Sequence, residues 1–155
     1  MTHCSDDLNV MANPVCEVLV TEAQLNAPEN RVDVTAGARV DFQGIVRGSE
    51  NGSEIKGIQY EANREMAEHQ LKQIAERASI RFELRFVSIQ HRIGFVAVGQ
   101  ASLLMRVCSG HREAAFLASQ WIVDELKKKV PIWKRPEFKI NHLPGSSRSE
   151  AAVSR

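Results

Sequence analysis

The segment Ser109–Arg135, SGHREAAFLASQWIVDELKKKVPIWKR, limits what this chain can fold into more than any other stretch. Ala114, Ala118, Trp121, Ile122 and Leu126 recur at helical spacing and form one apolar stripe along a long amphipathic helix. Ser109 is the expected N-cap, and Glu113 suits the positive end of the helix dipole. Pro131 ends the helix by pushing Val130 into an extended conformation. A helix of this length with a single apolar face must lie on another layer of structure, which the rest of the chain has to supply.

The same helix carries cations at both ends. His111 and Arg112 fall at its N-terminus, where unpaired backbone N–H groups already favour an anion. An arginine fork there adds a charge-assisted hydrogen bond of about 1.5–3 kcal/mol. Lys127, Lys128 and Lys129 crowd the other end, with Lys134 and Arg135 just beyond. Mutual repulsion favours the neutral amine, the form in which a lysine can act as nucleophile or proton carrier. Lys128 and Lys129 read as solvent-facing complements to the helix dipole.

Alternating and helical patterns upstream provide the missing layer. Val15–Val20 reads as a strand with Cys16 as a small buried hydrophobe, Thr21–Gln24 as a short helix, and 26–30 as a turn. Arg39–Val46 reads as a strand that turns Val40, Phe42 and Ile45 to a core, with Gly44 marking a bulge or close approach. Arg47 emerges at its end, before a flexible loop, GSENGS, able to close over a ligand. Asn51-Gly52 in that loop favours a hairpin into the returning strand Ile55–Glu61. Glu65–Ser79 is a second amphipathic helix, burying Ala67, Leu71, Ile74, Ala75 and Ala78. Ser79–His91 alternates with Phe82, Leu84 and Phe86 on one face and changes register before Ile89. His91 and Arg92 read as a strand-end pair holding a turn. Val96–Gly99 is a short strand or turn. Ala101–Cys108 is a core strand, Leu103, Met105 and Val107 inward and Arg106 outward. Cys108 reads as packing rather than as a nucleophile, and Trp133 as an anchor for the segment carrying Lys134. The expected fold is therefore α+β, an antiparallel or mixed sheet with two main helices packed on it, in a single domain.

Composition narrows the function. With 155 residues, 43% of them apolar and 25% charged, the chain can bury a sizeable core. A net charge of +1 gives no polyanion footprint, so the local cation clusters suit a small anionic ligand better than nucleic acid. Cys4, Cys16 and Cys108 show no paired spacing and point away from a disulfide scaffold or zinc site. No apolar run is long enough to span a membrane and no signal-peptide core opens the chain, so a cytoplasmic protein is expected. Residues 1–13 and 141–155 read as flexible ends around a domain of residues 14–140.

Four blocks carry a resemblance to a known family: GIVRG at Gly44–Gly48, HRIG at His91–Gly94, SGHREAAF at Ser109–Phe116, and LKKKVPIWKR at Leu126–Arg135. In order and spacing they resemble the large, catalytic subunit of molybdopterin synthase, over roughly residues 15 to 136. The resemblance implies a sulfurtransferase of molybdenum-cofactor synthesis. Such enzymes add two sulfurs to cyclic pyranopterin monophosphate, forming the dithiolene of molybdopterin. The sulfur arrives as a thiocarboxylate on the C-terminal glycine of a small ubiquitin-like subunit. Matched by motif, Lys127 and Lys134 are the implied catalytic lysines. Arg47, His111 and Arg112 are the implied substrate-binding residues, and Arg135 is expected in the pocket wall. No metal or organic cofactor is implied.

Helix geometry adds a constraint of its own. His111 and Lys127 are sixteen positions apart, which at ~1.5 Å per residue separates them by about 24 Å. A small pterin phosphate cannot bridge that distance. One site using both pairs must take them from two copies of the chain, so a two-fold homodimer with composite pockets is expected, and with the small subunit a heterotetramer. Two alternatives remain. One is a non-catalytic binding module for the ubiquitin-like sulfur carrier. The other is a phosphate-binding enzyme of another class, which has no glycine-rich phosphate loop to support it.

Overall fold

The structure, a computed structural model, describes residues 13–31 and 33–140. The two ends expected to be flexible, 1–13 and 141–155, lie outside the described residues except for Asn13. In chain order the elements are β1 (Val15–Thr21), β2 (Ala38–Ile45), β3 (Ser49–Glu50), β4 (Ser53–Ala62), α1 (Arg64–Arg81), β5 (Leu84–Arg92), β6 (Gly94–Ala97), β7 (Ala101–Ser109), α2 (Arg112–Lys129) and β8 (Ile132–Phe138). They form two sheets. The first has the order β1-β5-β7-β2, with β1 parallel to β5 and the other pairs antiparallel. In the second, β4 pairs antiparallel with β3, β6 and β8. Two helices on a mixed sheet is the α+β architecture the sequence pattern predicts; the division into two sheets is not visible in it.

The helices follow their patterns. Asn63 caps α1, its side chain accepting the Met66 N–H at 3.0 Å. Ala67, Leu71, Ile74, Ala75 and Ala78 are all buried, as the spacing predicts. In α2, Ala118, Ile122 and Leu126 are buried as expected, while Ala114 and Trp121 lie at the edge of the buried face. The helix starts later than expected. Ser109 is still the last residue of β7, in register with Ala38 and Leu84, and its hydroxyl donates to the His111 carbonyl. Ladder pairing holds it extended, so His111 becomes the N-cap and makes no side-chain capping bond. At the other end Val130 is extended, ψ 123°, before Pro131. Both helices press on one face of the first sheet, where Leu71, Ile74, Val87, Ile89, Met105, Val107 and Ile122 form the main core.

Several strand expectations are corrected by position in the sheet. β7 is central and buried on both faces, so Arg106 is only 6% exposed rather than facing solvent. Asp41 accepts its Nε and Nη2 at 2.6 and 2.9 Å, and the carbonyls of Pro28 and Glu29 accept Nη1 at 2.9 and 3.2 Å. The segment after β1 thus closes over that face. It contains a bend at residues 22–23 instead of the short helix expected at Thr21–Gln24, the Ala23 N–H donating to the Thr21 hydroxyl at 3.1 Å. β2 is an edge strand, so Phe42 and Ile45 remain 38% and 53% exposed where a core face was expected. Phe82 is not in a strand. It follows the last turn of α1 and packs edge-on against Trp121, with ring centroids 5.9 Å apart. The register change expected between Phe86 and Ile89 falls earlier, as a bulge between Leu84 and Phe86. The expected irregularity at Gly44 is present as a shift between Gly44 and Ile45.

Candidate active site

The second sheet mounts the first lysine. β8 pairs with β4 so that Lys134 lies opposite Tyr60. The segment expected to be a flexible loop is a hairpin. Asn51 and Gly52 take φ values of 50° and 80°, the positive pair of a type I′ turn, and fold β3 back onto β4. That fold brings Glu50 to 2.9 Å from the Lys134 ammonium and 3.6 Å from the Arg47 guanidinium. The hydrogen bond from Lys134 holds the Glu50 carboxyl below the usual carboxylate range, with Arg47 adding to it. Trp133 is not the buried anchor expected, being 44% exposed. The β4–β8 ladder is what fixes Lys134.

The last turn of α2 brings the second lysine to the same place. Lys127 and Lys134 both line a cavity of about 480 Å³, closed in part by Tyr60, His91, Gly44 and Leu126. That volume suits a small organic ligand. Of the three lysines in the run, Lys129 pairs with Glu125, Lys128 is exposed, and Lys127 has no ion pair or hydrogen bond among the described residues.

His91, expected only to hold a turn, is 5% exposed and belongs to this cavity. Its Nδ1 lies 2.9 Å from the Arg92 carbonyl. A carbonyl can only accept, so Nδ1 carries the proton and Nε2 keeps its lone pair. The Tyr60 ring meets the imidazole edge-on at 5.4 Å. Burial pushes the His91 pKa down to about 4, so the ring is neutral near pH 7. Arg92 does hold the turn, donating to Gln100 Oε1 at 3.0 Å and to the Glu22 carbonyl at 3.3 Å. The signal missed in the sequence is the alternation of β5: Val87, Ile89 and His91 share one face, and the first two are fully buried.

His111 and Arg112 sit at the opposite end of α2. His111 lines a separate cavity of about 440 Å³ together with Ser109, Gly110 and Arg85, and Arg112 is exposed in the first helical turn. Arg47 joins the lysine end only through Glu50, and its own side chain is 81% exposed. Arg135 does not line the lysine cavity; it follows Lys134 on the alternate face of β8 and pairs with Glu61 at 3.0 Å. Cys108 is half-buried, and burial pushes its thiol pKa up, as suits packing rather than nucleophilic attack. Among the described residues no cluster of three or more His, Cys, Asp or Glu could hold a metal ion. Nor is any helix among them long and apolar enough to cross a membrane.

The fold and these cavities define an α+β protein whose basic side chains converge on small-ligand pockets at the two ends of one helix. A family model described as MoaE protein matches residues 18–129, and the chain belongs to this family. The molybdopterin synthase catalytic subunit of Thermoplasma volcanium is 39% identical over 121 residues, covering 76% of this chain and 88% of its own. That of Pyrococcus abyssi is 43% identical over 101 residues, covering 65% and 68%. Among solved structures, molybdopterin synthase from Staphylococcus aureus matches with a TM-score of 0.67 at 32% identity, over 71% of this chain and 80% of that one. A Helicobacter pylori structure, described as a protein–protein complex of subunits 1 and 2 of molybdopterin-converting factor, shares the fold at a TM-score of 0.58 and 18% identity, over 83% and 92%.

Proposed function

We propose that this chain is a cytoplasmic sulfurtransferase that works, within residues 14–140, as a molybdopterin synthase catalytic subunit. Its substrate would be cyclic pyranopterin monophosphate, and its sulfur donor the C-terminal thiocarboxylate of a small ubiquitin-like subunit. The observation that carries this reading is the convergence of Lys127 and Lys134, from a helix and a strand of different layers, on one 480 Å³ cavity. In each transfer the donor's carbon–sulfur bond breaks and water supplies the oxygen of the donor's carboxylate, while the sulfur bonds to a pterin side-chain carbon as that carbon's C–O bond breaks, its oxygen leaving as water or staying with the phosphate. The lysines differ in their surroundings. Lys134 is tied to Glu50 and serves to hold negative charge on substrate or intermediate. Lys127 is unpaired among the described residues and is the amine available to engage the thiocarboxylate carbon or to move a proton. Arg47, His111 and Arg112 would hold the phosphate and ring, with Arg135 at the outer rim beside Glu61.

The composite site has geometric support. Between the two cavities α2 exposes Phe116 and Leu117, 63% and 51%, and the edge strand β2 exposes Phe42, 38%. Phe42, Phe116, Ser119, Gln120 and Val123 line a groove there. A two-fold axis through this groove would run α2 antiparallel to its copy. It would set the lysine end of one chain beside His111 and Arg112 of the other. The small subunit would then make a heterotetramer, an arrangement that the two-subunit description of the Helicobacter pylori relative fits.

The test is complementation. Lys127→Ala should abolish turnover and leave the fold intact, and Arg112→Ala should raise KM. Each variant alone should be nearly silent at substrate concentrations below the wild-type KM. Mixed and allowed to exchange subunits, they should regain about a quarter of wild-type activity, because random pairing leaves one intact site in half of the dimers. No recovery in dimers shown to have exchanged would reject a shared site, and near-normal activity in Lys127→Ala would reject the role of that lysine. Binding of the ubiquitin-like partner without any turnover in the wild type would favour the non-catalytic alternative.

A further inference from the structure

We propose that His91 is a substrate-positioning residue whose Nε2 accepts a hydrogen bond from an N–H or O–H donor of the bound pterin, at the inner wall of the lysine cavity. This rests on the assignment of that cavity to the pterin substrate.

Three observations carry it. First, His91 is 95% buried by its 5% exposure, yet only one of its ring nitrogens is used: Nδ1 donates to the Arg92 carbonyl at 2.9 Å. Nε2 has no partner among the described residues. Nε2 is not among the buried side-chain atoms left without a partner, so it is open to the cavity that His91 lines, where a ligand donor can reach it. Second, the ring cannot easily turn to hide that atom. Its tautomer is fixed by the Arg92 carbonyl and its orientation by the edge of Tyr60, 5.4 Å away. Third, the cationic neighbours call for an acceptor, which this atom supplies. The side chains of Lys127, Lys134 and nearby Arg47 can only donate. The Ser102 hydroxyl donates to the Gly44 carbonyl at 3.3 Å, which leaves its oxygen able to accept. A pterin carries ring and amino N–H groups as well as acceptors; the lysines cannot meet its donors, whereas His91 Nε2 and the Tyr60 and Ser102 hydroxyl oxygens of the lining can. A neutral imidazole supplies the acceptor without adding a further charge beside the lysines. Burial keeps it neutral, as its lowered pKa indicates. Recognition by a buried acceptor also gives specificity, since a ligand lacking the donor would leave Nε2 unpaired.

Two measurements test this, both with cyclic pyranopterin monophosphate as the probe and the intact partner-loaded enzyme. In nitrogen NMR of the wild-type imidazoles, His91 Nε2 should begin at the position of an unprotonated ring nitrogen and move as the pterin is added. In kinetics, His91→Phe keeps an aromatic ring against Tyr60 and removes the acceptor. It should raise KM about tenfold with kcat little changed. His91→Gln, whose carbonyl can accept, should recover much of that loss. An Nε2 signal that stays put while pterin binds, or an unchanged KM in a folded His91→Phe, overturns the proposal; if that variant does not fold, the wild-type NMR decides. Lys127→Ala run in parallel separates the two readings. Turnover that needs Lys127 and ignores His91 removes only this inference, whereas turnover that needs neither removes the pterin site itself.

Discussion

At the residue scale, the informative side chains are those whose environment contradicts their chemistry. His91 is a titratable group buried in its neutral form, and this couples stability to pH. Unfolded, it titrates near 6.5; folded, its pKa is about 4. Between those values the unfolded chain binds a proton that the folded chain refuses. The folded state therefore keeps its full stability above pH 6.5 and loses it as the pH falls toward 4, by about 3 kcal/mol from this group alone. Urea unfolding near about pH 7 and about pH 4.5 should show a larger loss for the wild type than for His91→Gln, by about 2–3 kcal/mol. Equal losses would mean that the imidazole is hydrated enough to charge in place. Arg106 is the opposite case, a charge kept buried because Asp41 and two carbonyls meet it. Alternation put His91 in reach of a core face, but its role was hidden because a sequence does not show what lies across from a strand end. Arg106 could not be read at all, since its partners come from positions more than sixty residues away.

At the element scale, the hairpin 49–54 and helix α2 do most to place the site. The Asn51-Gly52 turn was legible because both residues tolerate positive φ, and it was the turn, not a mobile loop, that set Glu50 against Lys134. Gly52 has φ 80°, and a Cβ there would meet no atom within 4 Å, so Gly52→Ala would feel only the backbone cost. That substitution should destabilise the protein by about 1 kcal/mol. An unchanged urea midpoint would show that the turn tolerates a side chain at this φ. The start of α2 was misplaced by two residues because Ser109 satisfies its backbone in the β7 ladder and has no reason to cap. Its end was readable, since Pro131 acts through local sterics that no tertiary contact needs to supply.

At the scale of the whole molecule, what covers the groove beside α2 decides whether the site is shared. If a second copy does, as the composite site requires, Phe116→Asp places a charge in the interface without touching Lys127, Lys134, His111 or Arg112. The variant should sediment as a monomer and lose turnover together with the dimer. A stable, active dimer would move the interface elsewhere on the surface.

The sequence by itself determined the two amphipathic helices, the proline stop, the hairpin turn and the family, because these rest on local sterics, on periodicity and on short motifs. It also placed His111 and Arg112 at one end of α2 and Lys127 at the other, a distance set by helix rise alone. Only the tertiary structure decided which strands are central and which lie at an edge, and therefore why Arg106 is buried while Phe42 and Ile45 are not. It alone brought Lys127, Lys134, Glu50 and His91 to one end of the molecule. These are relations between segments far apart in the chain, fixed by sheet order and packing, which no local pattern encodes.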